Sequence, residues 1–453
     1  MDIHVQQLFR EGSSLLQSGN PMQALICFQN AQKIVPSNPT LHLHTGAALH
    51  DLGRYEEAVA SYRQAININP GMGEAHNNLG NSLMALGRFA EAADSFLRAT
   101  ELMPNSPVPR TARATALQAL GKVTEAEADC RMAVALDPSF AAAHWNLALN
   151  LLLQGKYEGG WQEYEWRWRK PDFTSPVRHN DIPLWDGSPL DGRTILLHAE
   201  QGFGDAIQFV RYVPMVVQCG GNIVLECHHQ LVSLFQGVEG IQAVVPFGAP
   251  LPTFSFQAPL LSLPRIFGNT LQNIPSDCPY VSVASELRKR WSALVSPHPS
   301  ELRVGLVWAG KNYPDPLRSC CLAELDSLAA DSITFFSLQL GSGAEEAKTF
   351  PTKMKLVDLT DQIHNFADTA ALIEQLDLVI SIDTAVAHLA GALGKLTLLL
   401  LPYAPDWRWL LERSDSPWYS KMQIFRQKQP GDWGEVMSRV HTALELHATT
   451  KIL

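Results

Sequence analysis

Glycine recurs at Gly19, Gly53, Gly87, Gly121 and Gly155 and proline at Pro36, Pro70, Pro104 and Pro138, so both series advance in steps of 34 residues. A fixed period of this length specifies stacked helix–turn–helix units, none of which can bury its apolar face alone. Overlaying the units places small residues at matching positions: Gly12, Gly46, Gly80 and Ala114 in the first helix, and Ala24, Ala58, Ala92 and Ala126 in the second. Phe28, Tyr62, Phe96 and Cys130 follow one turn later on the same face, so these positions are read as core. Each proline closes a second helix, because it cannot continue the hydrogen-bond ladder.

The period is the signature of a tetratricopeptide (TPR) array, expected over residues 1–170 as four full repeats and a degenerate fifth. The fifth keeps Leu147, Leu151 and Gly155 but carries Gly160 where the others have alanine, then Trp161, Trp166 and Trp168, and is read as a cap whose tryptophans pack. First-helix residues should line the concave face. Asn77, Asn78, Asn81 and Asn146, with His42, His76 and His144, are the candidates for a groove that binds a protein or peptide backbone.

The repeat fades near Lys170, and residues 171–192, rich in proline and aspartate, read as a linker. Beyond it, short apolar runs alternate with helical stretches. Arg193–Ala199, Asn222–Glu226 and Ala243–Pro246 are expected strands of one unit (193–298), and Arg303–Ala309, Thr334–Leu340, Leu378–Ile382 and Thr397–Leu401 of a second (299–453). Alternating strands and helices imply parallel sheets, and two such units in series imply two Rossmann-like, doubly wound α/β domains with a cleft between them, the GT-B layout.

Ligands in such folds bind beyond the carboxyl ends of the strands, and three clusters fall there. In Gln201-Gly202-Phe203-Gly204-Asp205 the glycines allow close backbone approach, and Asp205 opens a helix where it can either complement the dipole or act as general base. In Asp383-Thr384-Ala385, free N–H groups at a helix start can hold a diphosphate, with His388 one turn in on the same face. Gly310 and Lys311 follow a strand, and Lys311 or Arg318 could neutralise a departing nucleoside diphosphate. No D-x-D pair stands at a strand end, so no metal and no cofactor are expected. Asp406-Trp407-Arg408-Trp409, after the strand ending at Leu401, is expected to border the cleft, with its tryptophans read as packing.

The G-F-G-D run at 202–205 and S-I-D-T-A-V-A-H-L-A-G at 381–391 resemble the ADP-heptose:lipopolysaccharide heptosyltransferase family (glycosyltransferase family 9). That resemblance implies Asp205 as catalytic base, Asp383, Thr384 and His388 as donor-diphosphate contacts, and Arg318 or Lys311 as a further phosphate contact. Ala385 stands where the family has glycine, and the first α/β unit is short for the family, so heptose specificity does not transfer. The domain order is similar to that of protein O-GlcNAc transferases. The expectation is therefore an inverting, metal-independent glycosyltransferase using an ADP- or UDP-linked sugar, with the array recruiting an acceptor. A TPR scaffold with a degenerate α/β part is the alternative.

Composition narrows the rest. With 46% apolar and 18% charged residues the chain is expected to fold, and a net charge of −10 without a basic run argues against nucleic acid. No apolar run approaches the ~20 residues of a membrane span, no secretory leader opens the chain, and the seven cysteines lack C-x-x-C spacing, so a cytoplasmic protein with reduced thiols is expected.

Overall fold

The computed structural model describes residues 3–297, 302–311 and 316–452; the expected domain junction at 298–299 lies outside the described residues. The chain forms two compact units, Met1–Leu151 and Leu152–Leu453. The first holds the helix pairs α1 (Ile3–Gln17) and α2 (Pro21–Ile34), α3 (Pro39–Asp51) and α4 (Tyr55–Ile68), α5 (Gly73–Ala85) and α6 (Phe89–Leu102), and α7 (Pro107–Ala119) and α8 (Val123–Leu136), followed by most of α9 (Ala141–Leu153). The next helix, α10 (Tyr157–Tyr164), falls within the second unit.

The two glycine series do different jobs. Gly53 takes φ +74°, as do its equivalents to within a few degrees, and closes a first helix: Gly53 N–H donates to His50 O at 2.9 Å and Arg54 N–H to Leu49 O at 2.9 Å, the paired bonds of a Schellman stop. Gly12, Gly46 and Gly80 instead lie under rings. A Cβ at these positions would stand 2.7, 2.6 and 2.5 Å from Phe28, Tyr62 and Phe96, so glycine is what lets the two helices of each pair close on the aromatic core.

The second unit contains two all-parallel sheets. The strands are β1 (Thr194–His198), β2 (Asn222–Cys227), β3 (Ile241–Pro246) and β4 (Phe256–Pro259), then β5 (Leu302–Val307), β6 (Ile333–Ser337), β7 (Lys355–Asp358), β8 (Leu378–Ile382), β9 (Leu396–Leu401) and β10 (Met422–Arg426). The first sheet runs β3-β2-β1-β4, the second β10-β9-β8-β5-β6-β7. Counted within itself, the second is the doubly wound order 3-2-1-4-5-6, and the first is its opening 3-2-1-4 without the last two strands. The expected helix 206–217 is divided into Phe203–Phe209 and Val213–Gln218, joined by a 3₁₀ turn next to Pro214, whose ring cannot sit in a helix interior.

The linker is integrated with the first sheet. Leu184 bridges Gln257 in parallel, Trp185 N–H donates to Gln257 O at 2.9 Å, and Gln257 N–H donates to Pro183 O, so the segment lengthens the sheet beside β4. Arg178 donates to Ala199 O and lies 3.3 Å from Glu226, while His179, at φ 57°, meets the same carboxylate at 3.2 Å.

Candidate functional site

Doubly wound sheets open a crevice where neighbouring strands send their connections to opposite sides, which in the second sheet lies between β5 and β8. Asp383 and Thr384 follow β8 there and lead into the helix Ala385–Ala392. Thr384 is the N-cap, but its side chain makes no cap bond; its Oγ1 lies 3.3 Å from Ser381 Oγ instead, so no threonine oxygen covers the first-turn N–H groups. Residues 383–386 are half-buried, which leaves this helix start approachable.

After β5, the loop is pinned from inside. Gln339 Oε1 accepts from the N–H groups of Trp308 and Ala309 at 3.0 and 2.9 Å, and Ser319 Oγ accepts from Gly310 N–H at 3.0 Å. Arg318 folds across Gly310, with Nε 2.9 Å from where a Cβ would be, and donates to Lys311 O at 3.1 Å. The two basic candidates thus separate. Arg318 lies close enough to pull on the Asp383 carboxyl, whereas the charge of the exposed Lys311 acts on His228 at the end of β2.

The glycine loop comes from the other sheet. Gly202 caps the helix Phe203–Phe209, and this helix packs against Ala385–Ala392. Gly204 is the point of contact: a Cβ there would lie 2.8 Å from His388 Cδ2 and 3.5 Å from Ala385 Cα. Gly204 therefore accommodates a helix rather than a ligand. Gly202 makes room for Asp205 itself, whose Oδ2 lies 2.7 Å from the Cβ position. Gln201 is bound sideways to the linker, its amide oxygen oriented to accept from the N–H groups of Thr174 and Ser175 at 3.0 Å.

Asp205 does not stand alone. Its Oδ1 accepts from Arg408 Nη2 at 2.5 Å, and Arg408 also donates to Asp406 Oδ1 at 2.9 Å and Gln208 Oε1 at 2.6 Å. Burial pushes the Asp205 carboxyl up, against the downward pull of Arg408. The Asp383 carboxyl is pushed up to about 6, first by burial and then by the Asp406 carboxylate. His388 is 5% exposed, with Nδ1 2.9 Å from the Tyr419 hydroxyl, Nε2 3.7 Å from Asp383 and its ring stacked on Trp409. Burial, then the Arg408 and Arg211 charges, hold it well below the ordinary histidine range. That shift favours the neutral imidazole, and Arg318 is the cation whose charge reaches Asp383 from the loop after β5.

Sequence reasoning found the strand ends but gave Arg408 no role of its own; the signal available was an Asp-Trp-Arg-Trp run after a buried strand. Glu200, beside the glycine loop, is excluded as a reacting group. It is 5% exposed and clamped bidentately by Arg167 at 2.8 and 2.7 Å. Trp161 packs edge-on against Trp407 at 5.2 Å, as a buried sealing residue does.

On the array, the histidines expected in the groove are tied to the backbone: His42, His76 and His144 bond the carbonyls of Pro36, Pro70 and Pro138 at 2.8, 3.2 and 3.0 Å. Asn146 spends its amide on Thr111 O and Thr115 Oγ1, and Asn77 donates to Asn78. Asn81 is exposed.

Sequence profiles of the tetratricopeptide repeat match residues 46–87, 73–106 and 111–165. The helical array is a TPR solenoid. Similar solved structures include MamA from Desulfovibrio magneticus RS-1 (18% identity, 37% of this chain and 94% of that one, TM-score 0.34). PilF from Pseudomonas aeruginosa (22%, 36% and 75%, TM-score 0.35) is another, as is the first TPR of Spaghetti (RPAP3) bound to an HSP90 peptide (24%, 26% and 94%, TM-score 0.26). Protein FlbA of Caulobacter vibrioides is 27% identical over 346 residues, covering 70% of this chain and 58% of its own length, so the chain spans little more than half of that relative. Among the described residues, no helix is long and apolar enough to cross a membrane.

Proposed function

We propose that the α/β unit is a nucleotide-sugar glycosyltransferase, acting in the cytoplasm on a protein acceptor presented by the TPR solenoid. The observation that carries this reading is the seating of Gly204 on His388, which sets Asp205 of one sheet against the anion-type helix start of the other. The donor diphosphate would lie on the Thr384 and Ala385 N–H groups with Arg318 balancing its charge. Asp205 would take the proton of the acceptor hydroxyl, and displacement from the face opposite the nucleotide would invert the anomeric centre. The scaffold alternative draws on a different observation: Arg408 already occupies Asp205.

Calorimetry with UDP- and ADP-sugars, followed by donor-turnover assays on the chain and on Asp205→Ala, tests the proposal. Donor binding with turnover that collapses in the variant supports it. Peptide binding to the solenoid with no donor bound at millimolar concentration would replace it by the scaffold reading.

A further inference from the structure

Arg408 is too enclosed to be a donor ligand and too specifically bound to be filler. Its side chain is 8% exposed, and its guanidinium is held by Gln208, Asp406, Asp205 and the face of the Trp407 ring, 4.3 Å away. The Asp205 side chain is 30% exposed, so the pair has one sealed partner and one that reaches solvent. The contact uses Oδ1 of Asp205, whereas Oδ2 lies over Gly202, 2.7 Å from where a Cβ would stand. The segment carrying Arg408 is held under strain. Leu410 adopts φ 52°, ψ −170°, a region suited to glycine, and Arg426 fixes the carbonyls of Trp409 and Leu410 at 3.1 and 2.7 Å. Such strain persists only where surrounding contacts dictate the geometry, and here they dictate the placement of the guanidinium.

Building on the glycosyltransferase reading, we propose that Arg408 is the positioning residue of the proton-transfer step, gripping Asp205 by Oδ1 so that Oδ2 is presented over Gly202 as the proton-accepting oxygen. Arg408 acts through Asp205 and touches neither donor nor acceptor. Its second carboxylate, Asp406, shares the guanidinium, so Arg408 stays in place when Asp205 gains a proton. The charged and titratable groups around Asp205 are Arg408 and Asp406 on the loop after β9, Arg167 and Tyr164 before the linker, and Glu200 at the end of β1. Of these, Arg408 bonds to Asp205 directly.

The test uses the full chain labelled with ¹³C at aspartate Cγ, with the Asp205 signal assigned by its loss in Asp205→Asn, and compares wild type with Arg408→Gln and Arg408→Lys. Removing the cation should move the Asp205 titration upward by a pH unit or more in Arg408→Gln, with partial return in Arg408→Lys. In donor assays, kcat should fall at least tenfold with the donor KM unchanged, and the acidic limb of the rate profile should shift upward in parallel. Gly202→Ala, which crowds Oδ2 without touching the guanidinium, should lower kcat with the limb unmoved, and serves if the arginine variants misfold. An unmoved Asp205 titration, or a loss confined to donor KM, overturns the proposal. Failure of the wild type to turn over any sugar nucleotide removes the glycosyltransferase reading and with it the catalytic role, while the titration still reports whether Arg408 governs the Asp205 proton.

Discussion

The solenoid and the α/β unit use the same device, a glycine beneath a ring, for different ends. At Gly12, Gly46 and Gly80 the ring is Phe28, Tyr62 or Phe96, each buried, the Tyr62 phenol being pushed far above its ordinary range by burial. At Gly204 the ring is His388, one turn into the helix that begins after Asp383 and Thr384, and the next residue is Asp205. In the solenoid, close approach yields stability repeated every 34 residues. In the α/β unit it serves packing again at Gly391, beneath the Tyr419 ring, whereas at Gly204 it sets the separation between Asp205 and the start of the helix Ala385–Ala392. Glycine spacing alone therefore does not distinguish packing from chemistry; the residues on the opposing helix do.

The sharpest way to break this comparison is at Asp205. Asp205→Ala should lower donor turnover by about 10²–10⁴-fold, the range of a lost general base, in a steady-state assay, whereas Asn81→Ala in the solenoid should leave turnover of free donor unaltered. Next in size is a pair of equivalent insertions. Gly204→Ala and Gly80→Ala each force a methyl group to within 2.8 and 2.5 Å of a ring carbon, and each should cost about 1–3 kcal/mol in denaturant unfolding. Of the two, Gly204→Ala should also depress donor binding, because there the displaced helix carries the proposed anion site.

A third prediction concerns pH. With Asp383 pushed up to about 6, the group is protonated below that pH and anionic above it, so nucleoside diphosphate affinity should fall as pH rises from 5 to 7.5, measured by calorimetry with UDP and ADP. Asp383→Asn should flatten the dependence. Because the folded-state value lies above that of an unfolded aspartate, the native fold binds the extra proton, and the associated stabilisation is present at low pH and lost as pH rises through 6. The asparagine variant should therefore match the wild type only below the ordinary aspartate value of 3.8, gain on it as pH rises towards 6, and be the more stable of the two at pH 7.5. The smallest effect is expected at Gly53, where alanine must adopt φ +74° beside open space. Gly53→Ala should cost about 1–2 kcal/mol in thermal or denaturant melts and nothing in donor binding.

The solenoid was legible because each structural requirement recurs: a turn glycine, a small residue under a ring and a closing proline every 34 residues. In the α/β unit β1, β2, β3, β5, β6, β8 and β9 were legible as short apolar runs, but β4, β7 and β10 were not. Phe256–Pro259 is four residues long and ends in proline, Lys355–Asp358 is an edge strand with a charge at each end, and Met422–Arg426 alternates at the other edge of its sheet. Site residues at strand ends could be named from local pattern, since a helix start after a buried strand has the same physical character wherever it occurs. Partnerships could not. The bond between Asp205 and Arg408 spans 203 positions, and the edge of His388 under Gly204 spans a similar interval, so neither appears in any window of sequence.

The account rests on a donor site built jointly by the two sheets, and a crystal structure of the full chain with a non-hydrolysable UDP- or ADP-sugar tests it most directly. The predicted result is a diphosphate within hydrogen-bond reach of the Thr384 and Ala385 N–H groups and of Arg318, with the sugar carbon facing Asp205 Oδ2. A diphosphate bound elsewhere, or a chain that binds neither nucleotide at millimolar concentration, would contradict it.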